Sequence, residues 1–90
     1  MNRRKKRDIR VEAKKLGRRR YKGYQIIGWA EEGANKIEID SRLKKLQRLE
    51  TIIHEILHLA FPNSSESQIL KAEKMVGRTL WKQGYRKTET

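Results

Sequence analysis

The chain has 90 residues, 38% of them charged and 36% apolar, with a formal net charge of +12. That length allows one small domain with a modest core, and the absence of cysteine excludes disulfides, thiolate metal sites, cysteine nucleophiles and iron–sulfur clusters. No apolar run approaches the roughly 20 residues of a membrane span, and the basic start Met1–Arg7 leads into no apolar signal core, so a cytoplasmic location without membrane contact is expected.

In chain order, the charge comes first. Residues 1–22 hold 12 Lys/Arg against Asp8 and Glu12, a local net charge of +10, while the remainder carries only +2. The excess lies in two clusters, Arg3-Arg4-Lys5-Lys6-Arg7 and Arg18-Arg19-Arg20. Such clusters attract polyanions through counterion release, which makes these residues candidate nucleic-acid contacts. Between them, Ile9-Arg10-Val11-Glu12-Ala13 alternates apolar and polar residues and predicts a short strand. Leu16-Gly17 opens a basic loop. Tyr24–Ala30 is rich in β-branched and aromatic residues and predicts a second strand. Glu31–Asn35 supplies turn formers, and Lys36-Ile37-Glu38-Ile39-Asp40 predicts a third strand in period-two alternation. The three are expected to form a small antiparallel sheet.

From Ser41 the period changes. Leu43, Leu46, Leu49, Ile53, Ile56, Leu57 and Ala60 recur at three- and four-residue steps, predicting a helix with Asp40 or Ser41 as its N-cap. Its second half is apolar on nearly every side and is expected to be buried all round. Pro62 and Asn63 stop it. Ser65 followed by Gln68 fits a capping box for a second helix. That helix should run to about Gln83, with Ile69, Ala72, Val76 and Leu80 inward and Gly84 as its stop. Trp29 and Trp81 are assigned to the core. The expected organisation is a basic segment at residues 1–22 containing the first strand, one globular unit at 23–86 and a tail at 87–90. Its fold class is α+β, a three-stranded sheet packed on a helical hairpin.

The informative residues are His54-Glu55-Ile56-Leu57-His58, an HExxH pattern inside the apolar helix. Positions four apart stand on one helix face, so both imidazoles can aim a nitrogen at a shared ion at about 2.1 Å. Glu55 is placed to take a proton from water beside that ion. Three ionisable groups in an apolar segment each cost several kcal/mol to bury unpaired, and one divalent cation satisfies them together. One Zn2+ per chain is therefore expected. With no cysteine and no third histidine, the third ligand must be a carboxylate. Folding the helices back to back across Pro62 brings Glu66 and Glu73 to the level of His54 and His58. Either can ligate, and Glu73 can instead orient a histidine from behind.

The runs Ile37–Asp40, Leu49–His58, Phe61-Pro62, Ser65-Glu66 and Leu80–Arg86 resemble small phage-encoded proteins of the minimal zincin type, similar to SprT-like and ImmA/IrrE-like metallopeptidase domains. The resemblance implies a gluzincin-like site in which Glu66 completes the metal ligands, and, for a phage protein, residence in the host cytoplasm. It also implies hydrolysis of peptide bonds in a peptide or protein substrate, with Glu55 as general base. Tyr85, Arg86 and Tyr24 are candidate donors to the transition state. The rival reading is a zinc-stabilised module, weak or inactive in catalysis, that binds nucleic acid through its basic N-terminus.

Overall fold

The computed structural model describes residues 8–16, 20–21, 24–25, 27–31, 33 and 35–87. The candidate nucleic-acid residues Arg3, Arg4, Lys5, Lys6, Arg7, Arg18 and Arg19 lie outside them, and Arg20 and Tyr24 are described by their backbone alone. The elements are β1 (Arg10–Lys14), β2 (Arg20–Tyr21), β3 (Tyr24–Gln25), β4 (Gly28–Glu31), β5 (Lys36–Asp40), α1 (Lys45–Ala60) and α2 (Glu66–Lys82). They make a small α+β structure with a three-stranded sheet in the order β1-β5-β4 and a two-stranded ribbon of β2 and β3.

The sheet is mixed, which corrects the antiparallel expectation. β4 and β5 form the predicted antiparallel hairpin, with Gly28 opposite Ile39 and Glu31 opposite Lys36. β1, however, runs parallel to β5, from Arg10 beside Lys36 to Lys14 beside Asp40. Alternation of residue type reports which face is buried and carries no information on strand direction. Direction follows from the connection, and residues 15–35 are long enough to bring the chain back for a parallel pairing. The predicted second strand is also divided. Tyr24–Gln25 pairs with β2, and Gly28 begins a separate strand after Ile27, whose carbonyl accepts from the Asp40 amide at 2.9 Å.

β5 is central, and its residues Ile37–Asp40 are all buried. A Cβ on Gly28 would point at Thr51 and Glu55 of α1, so Ile39, directly opposite Gly28, and Ile37, two residues before it, share the helix-facing side. Both are 0% exposed. The other side of β5 carries carboxylates, and each has cations. Glu38 takes Lys14 Nζ at 2.8 Å and Lys36 Nζ at 3.5 Å. Lys14 holds the Glu38 carboxyl below its usual range. Asp40 accepts from the Arg42 amide at 2.9 Å, from Arg42 Nε and Nη2 at 3.0 and 2.9 Å, and from the Leu16 amide at 3.3 Å. The Arg42 guanidinium keeps it far below the ordinary carboxylate range.

That engagement removes Asp40 as a helix cap. α1 starts at Lys45 with Lys44 at its N-cap and no side-chain cap bond, later than the expected start at Ser41. α1 packs on β4, β5 and α2, yet only Thr51 and Ile53 of its residues are buried, against the expectation of burial all round. One other helix and one face of a three-stranded sheet do not enclose a 16-residue helix. Phe61, for instance, is 57% exposed.

α2 begins as predicted. The Ser65 hydroxyl accepts from the Gln68 amide and the Gln68 side chain accepts from the Ser65 amide, both at 3.1 Å. It ends at Lys82 with Gln83 as its C-cap, and Gly84 follows with a φ of 89° that suits glycine, Tyr85 N donating to Leu80 O and Gly84 N to Trp81 O. The inward residues are Ile69, Glu73 and Gly77, with Ala72 and Leu80 half-buried, while Val76 is exposed, contrary to expectation. Gly77 lets Glu50 and Ile53 of α1 come close, since a Cβ there would meet Glu50 Cγ at 3.0 Å. Trp29 is 45% exposed because it stands opposite Glu38 on the side away from α1. Trp81 is half-buried rather than in the core.

Candidate metal centre

The antiparallel hairpin of α1 and α2 sets the first turn of α2 against the second half of α1. The capping box fixes that first turn, and it begins with Glu66. His54 and His58, one helical turn apart on α1, present Nε2 atoms 3.1 Å from each other. The Glu66 carboxylate faces both rings, its Oε2 3.2 Å from His54 Nε2 and its Oε1 3.0 Å from His58 Nε2. In a tetrahedral site with bonds of about 2.1 Å, neighbouring ligand atoms lie about 3.4 Å apart. The three side chains therefore stand almost at the spacing of ligands around one small cation. Among the described residues they form a group whose donor atoms all lie within 4.8 Å of one another.

Glu73 takes a different place from Glu66. Its Oε1 lies 2.7 Å from His54 Nδ1, behind the imidazole, and its side chain is buried where that of Glu66 is 60% exposed. In the neutral ring, a proton on Nδ1 donated to Glu73 leaves the Nε2 lone pair free toward His58 and Glu66. That is the tautomer a metal ligand needs. Two nitrogens, one carboxylate and no sulfur make a donor set that suits zinc. The chain can hold a metal ion at His54, His58 and Glu66.

Glu55 lies beside this group, half-buried, with burial pushing its carboxyl above the usual range. The nearby Glu66 and Glu73 push the same way and the two imidazoles oppose them. It borders two adjoining hollows of about 460 and 730 Å³, which share Gly28, Trp29, Glu55 and His58. Together they make a groove along β4, the outer strand of the sheet order. The larger hollow also reaches Glu66, Glu73 and Lys74.

The chain matches no protein-family model, no curated protein and no solved structure. The site therefore rests on its own geometry.

That geometry does not gather every candidate. Tyr85 and Arg86 follow the far end of α2, a helix of 17 residues and about 25 Å, whereas Glu66 opens it. Arg86 is occupied there, its Nη2 donating to Trp81 O at 2.8 Å and its guanidinium 3.7 Å above the Trp81 ring. The Tyr24 side chain lies outside the described residues. Two groove residues escaped the sequence reading. Gly28 interrupts a β-branched run, the usual mark of close backbone approach, and a Cβ there would come within 2.6 Å of Thr51 Cγ2 and 3.0 Å of Glu55 Oε2. Lys74 adjoins Glu73 in sequence and brings a cation to the groove wall.

Proposed function

We propose that this chain is a zinc-dependent, metallopeptidase-like hydrolase acting on peptide bonds. The observation that carries the reading is the convergence of His54 Nε2, His58 Nε2 and the Glu66 carboxylate, one oxygen facing each ring nitrogen, at 3.0–3.2 Å, beside a half-buried Glu55. Bound there, zinc supplies a Lewis acid that polarises a carbonyl and lowers the pKa of water toward about 7.

The chain's own residues do the rest. Glu73 fixes the His54 ring and its tautomer. Glu55, in the groove wall next to both ligating histidines, takes a proton from the attacking water and returns it to the leaving amine nitrogen. Among the described residues no strand pairs with the outer edge of β4, so an extended peptide can add there as a further strand and pass Glu55 and His58. Glu55→Gln tests the assignment. It should keep one zinc per chain and lose turnover of a fluorogenic peptide by about 100-fold or more. Unchanged turnover would contradict it.

A further inference from the structure

The near neutrality of residues 23–90 hides a strong local asymmetry. From Ser67 to Lys87 the sequence has six cations, Lys71, Lys74, Arg78, Lys82, Arg86 and Lys87, and a single acid, Glu73. Glu73 is buried against His54 and offers solvent nothing. Lys71, Lys74, Arg78 and Lys82 follow one another at steps of three, four and four residues, which places them in one stripe on α2. All four are exposed; Lys71, Arg78 and Lys82 lie away from the inward Ile69, Glu73 and Gly77, and Lys74 flanks them at the rim of the groove. Arg78 makes a long contact from Nε to Glu50 at 3.4 Å, and its side chain remains 61% exposed.

We propose that this face of α2 is a docking surface for a nucleic-acid backbone. A helix face that only needs solvation mixes signs at i,i+3 and i,i+4, because like charges at those steps repel. Here, among the described residues, only the long Arg78–Glu50 contact offsets the repulsion along a row about 16 Å long, which spans roughly five phosphates of one strand at about 3.4 Å each. A lipid surface fits less well. A helix that binds in the interfacial plane needs an apolar face to insert, and the buried side of α2 packs against α1. The +10 charge of residues 1–22 favours the same partner from elsewhere in the sequence. The proposal does not depend on the metal site.

The test is fluorescence anisotropy with the full chain, using a labelled duplex DNA and a single-stranded RNA of about 20 nucleotides, between about 50 and 200 mM salt. Lys71→Gln/Arg78→Gln/Lys82→Gln is compared with an equal loss of charge outside both the stripe and residues 1–22, Lys44→Gln/Lys45→Gln/Lys87→Gln. The α2 variant should lose at least about tenfold in affinity on one or both probes, and the magnitude of its log–log salt slope on duplex should fall by about 2 to 3. The control set should change both far less, and Lys71→Arg/Lys82→Arg should bind as wild type does. Circular dichroism of every variant should retain the helix signal, since the substituted side chains are exposed. Equal losses in the two glutamine sets would overturn the proposal, because net charge alone would then account for binding. So would tight binding to phosphatidylserine vesicles, or to an acidic peptide, with none to either oligonucleotide.

Discussion

His54 is constrained at both ring nitrogens, Nδ1 by Glu73 at 2.7 Å and Nε2 by the His58–Glu66 pair. The two carboxylates of α2 thus divide the work, with Glu66 positioned to ligate and Glu73 to orient. Glu73→Gln keeps an acceptor in place and removes the charge that strengthens the imidazole as a ligand. We expect zinc affinity to fall about 10- to 100-fold with helix content unchanged, as read by competition with a chromophoric chelator. Equal affinity in the two proteins would remove Glu73 from the centre. The pair of histidines was legible in the sequence because helical spacing alone puts them on one face. The division between Glu66 and Glu73 was not. They lie seven residues apart on the same side of α2, so the choice turns on how deeply the hairpin closes, which residue spacing does not record.

Local signals read well at the scale of elements. Pro62 ends α1 two residues after Ala60, Ser65 and Gln68 cap α2, and Gly84 closes it with a positive φ. Each is a short-range steric or hydrogen-bonding rule, and no tertiary contact competes with these residues for it among the described residues. Ser65→Ala should therefore cost about 1 kcal/mol, a drop of roughly 4–8 °C in Tm for a chain this small. A change below 1 °C would mean that the cap contributes little. The sheet read less well for the opposite reason. β1 joins β5 across residues 15–35, and nothing within Arg10–Lys14 encodes a parallel partner. Asp40 illustrates the competition directly. It has the side chain of an N-cap, and Arg42 with the Leu16 amide takes it instead.

For the molecule as a whole, the core is thin. Among the described residues the buried apolar ones are Leu16, Ile37, Ile39, Ile53 and Ile69, so buried charge carries part of the stability. Asp40 and Glu38, 2% and 8% exposed, are both held below their usual pKa values by neighbouring cations. A carboxyl depressed in the folded state stabilises fully above its unfolded pKa, about 3.9 for Asp and 4.3 for Glu. That contribution is lost as pH falls through these values toward the folded ones. Glu55, raised by burial, acts in the opposite sense and costs stability as it ionises. Urea midpoints should thus fall steeply below about pH 4.5 for the wild type and less steeply for Asp40→Asn, and parallel curves would contradict this account. Metal should also stabilise such a small fold, by about 2.7 kcal/mol at a free concentration 100 times Kd. Metal analysis after equilibration with zinc and desalting tests the central claim most directly. The wild type and Glu55→Gln should each retain one zinc per chain, and His54→Ala and Glu66→Ala should retain almost none. Zinc-free wild type, or undiminished zinc in Glu66→Ala, would contradict the three-residue centre.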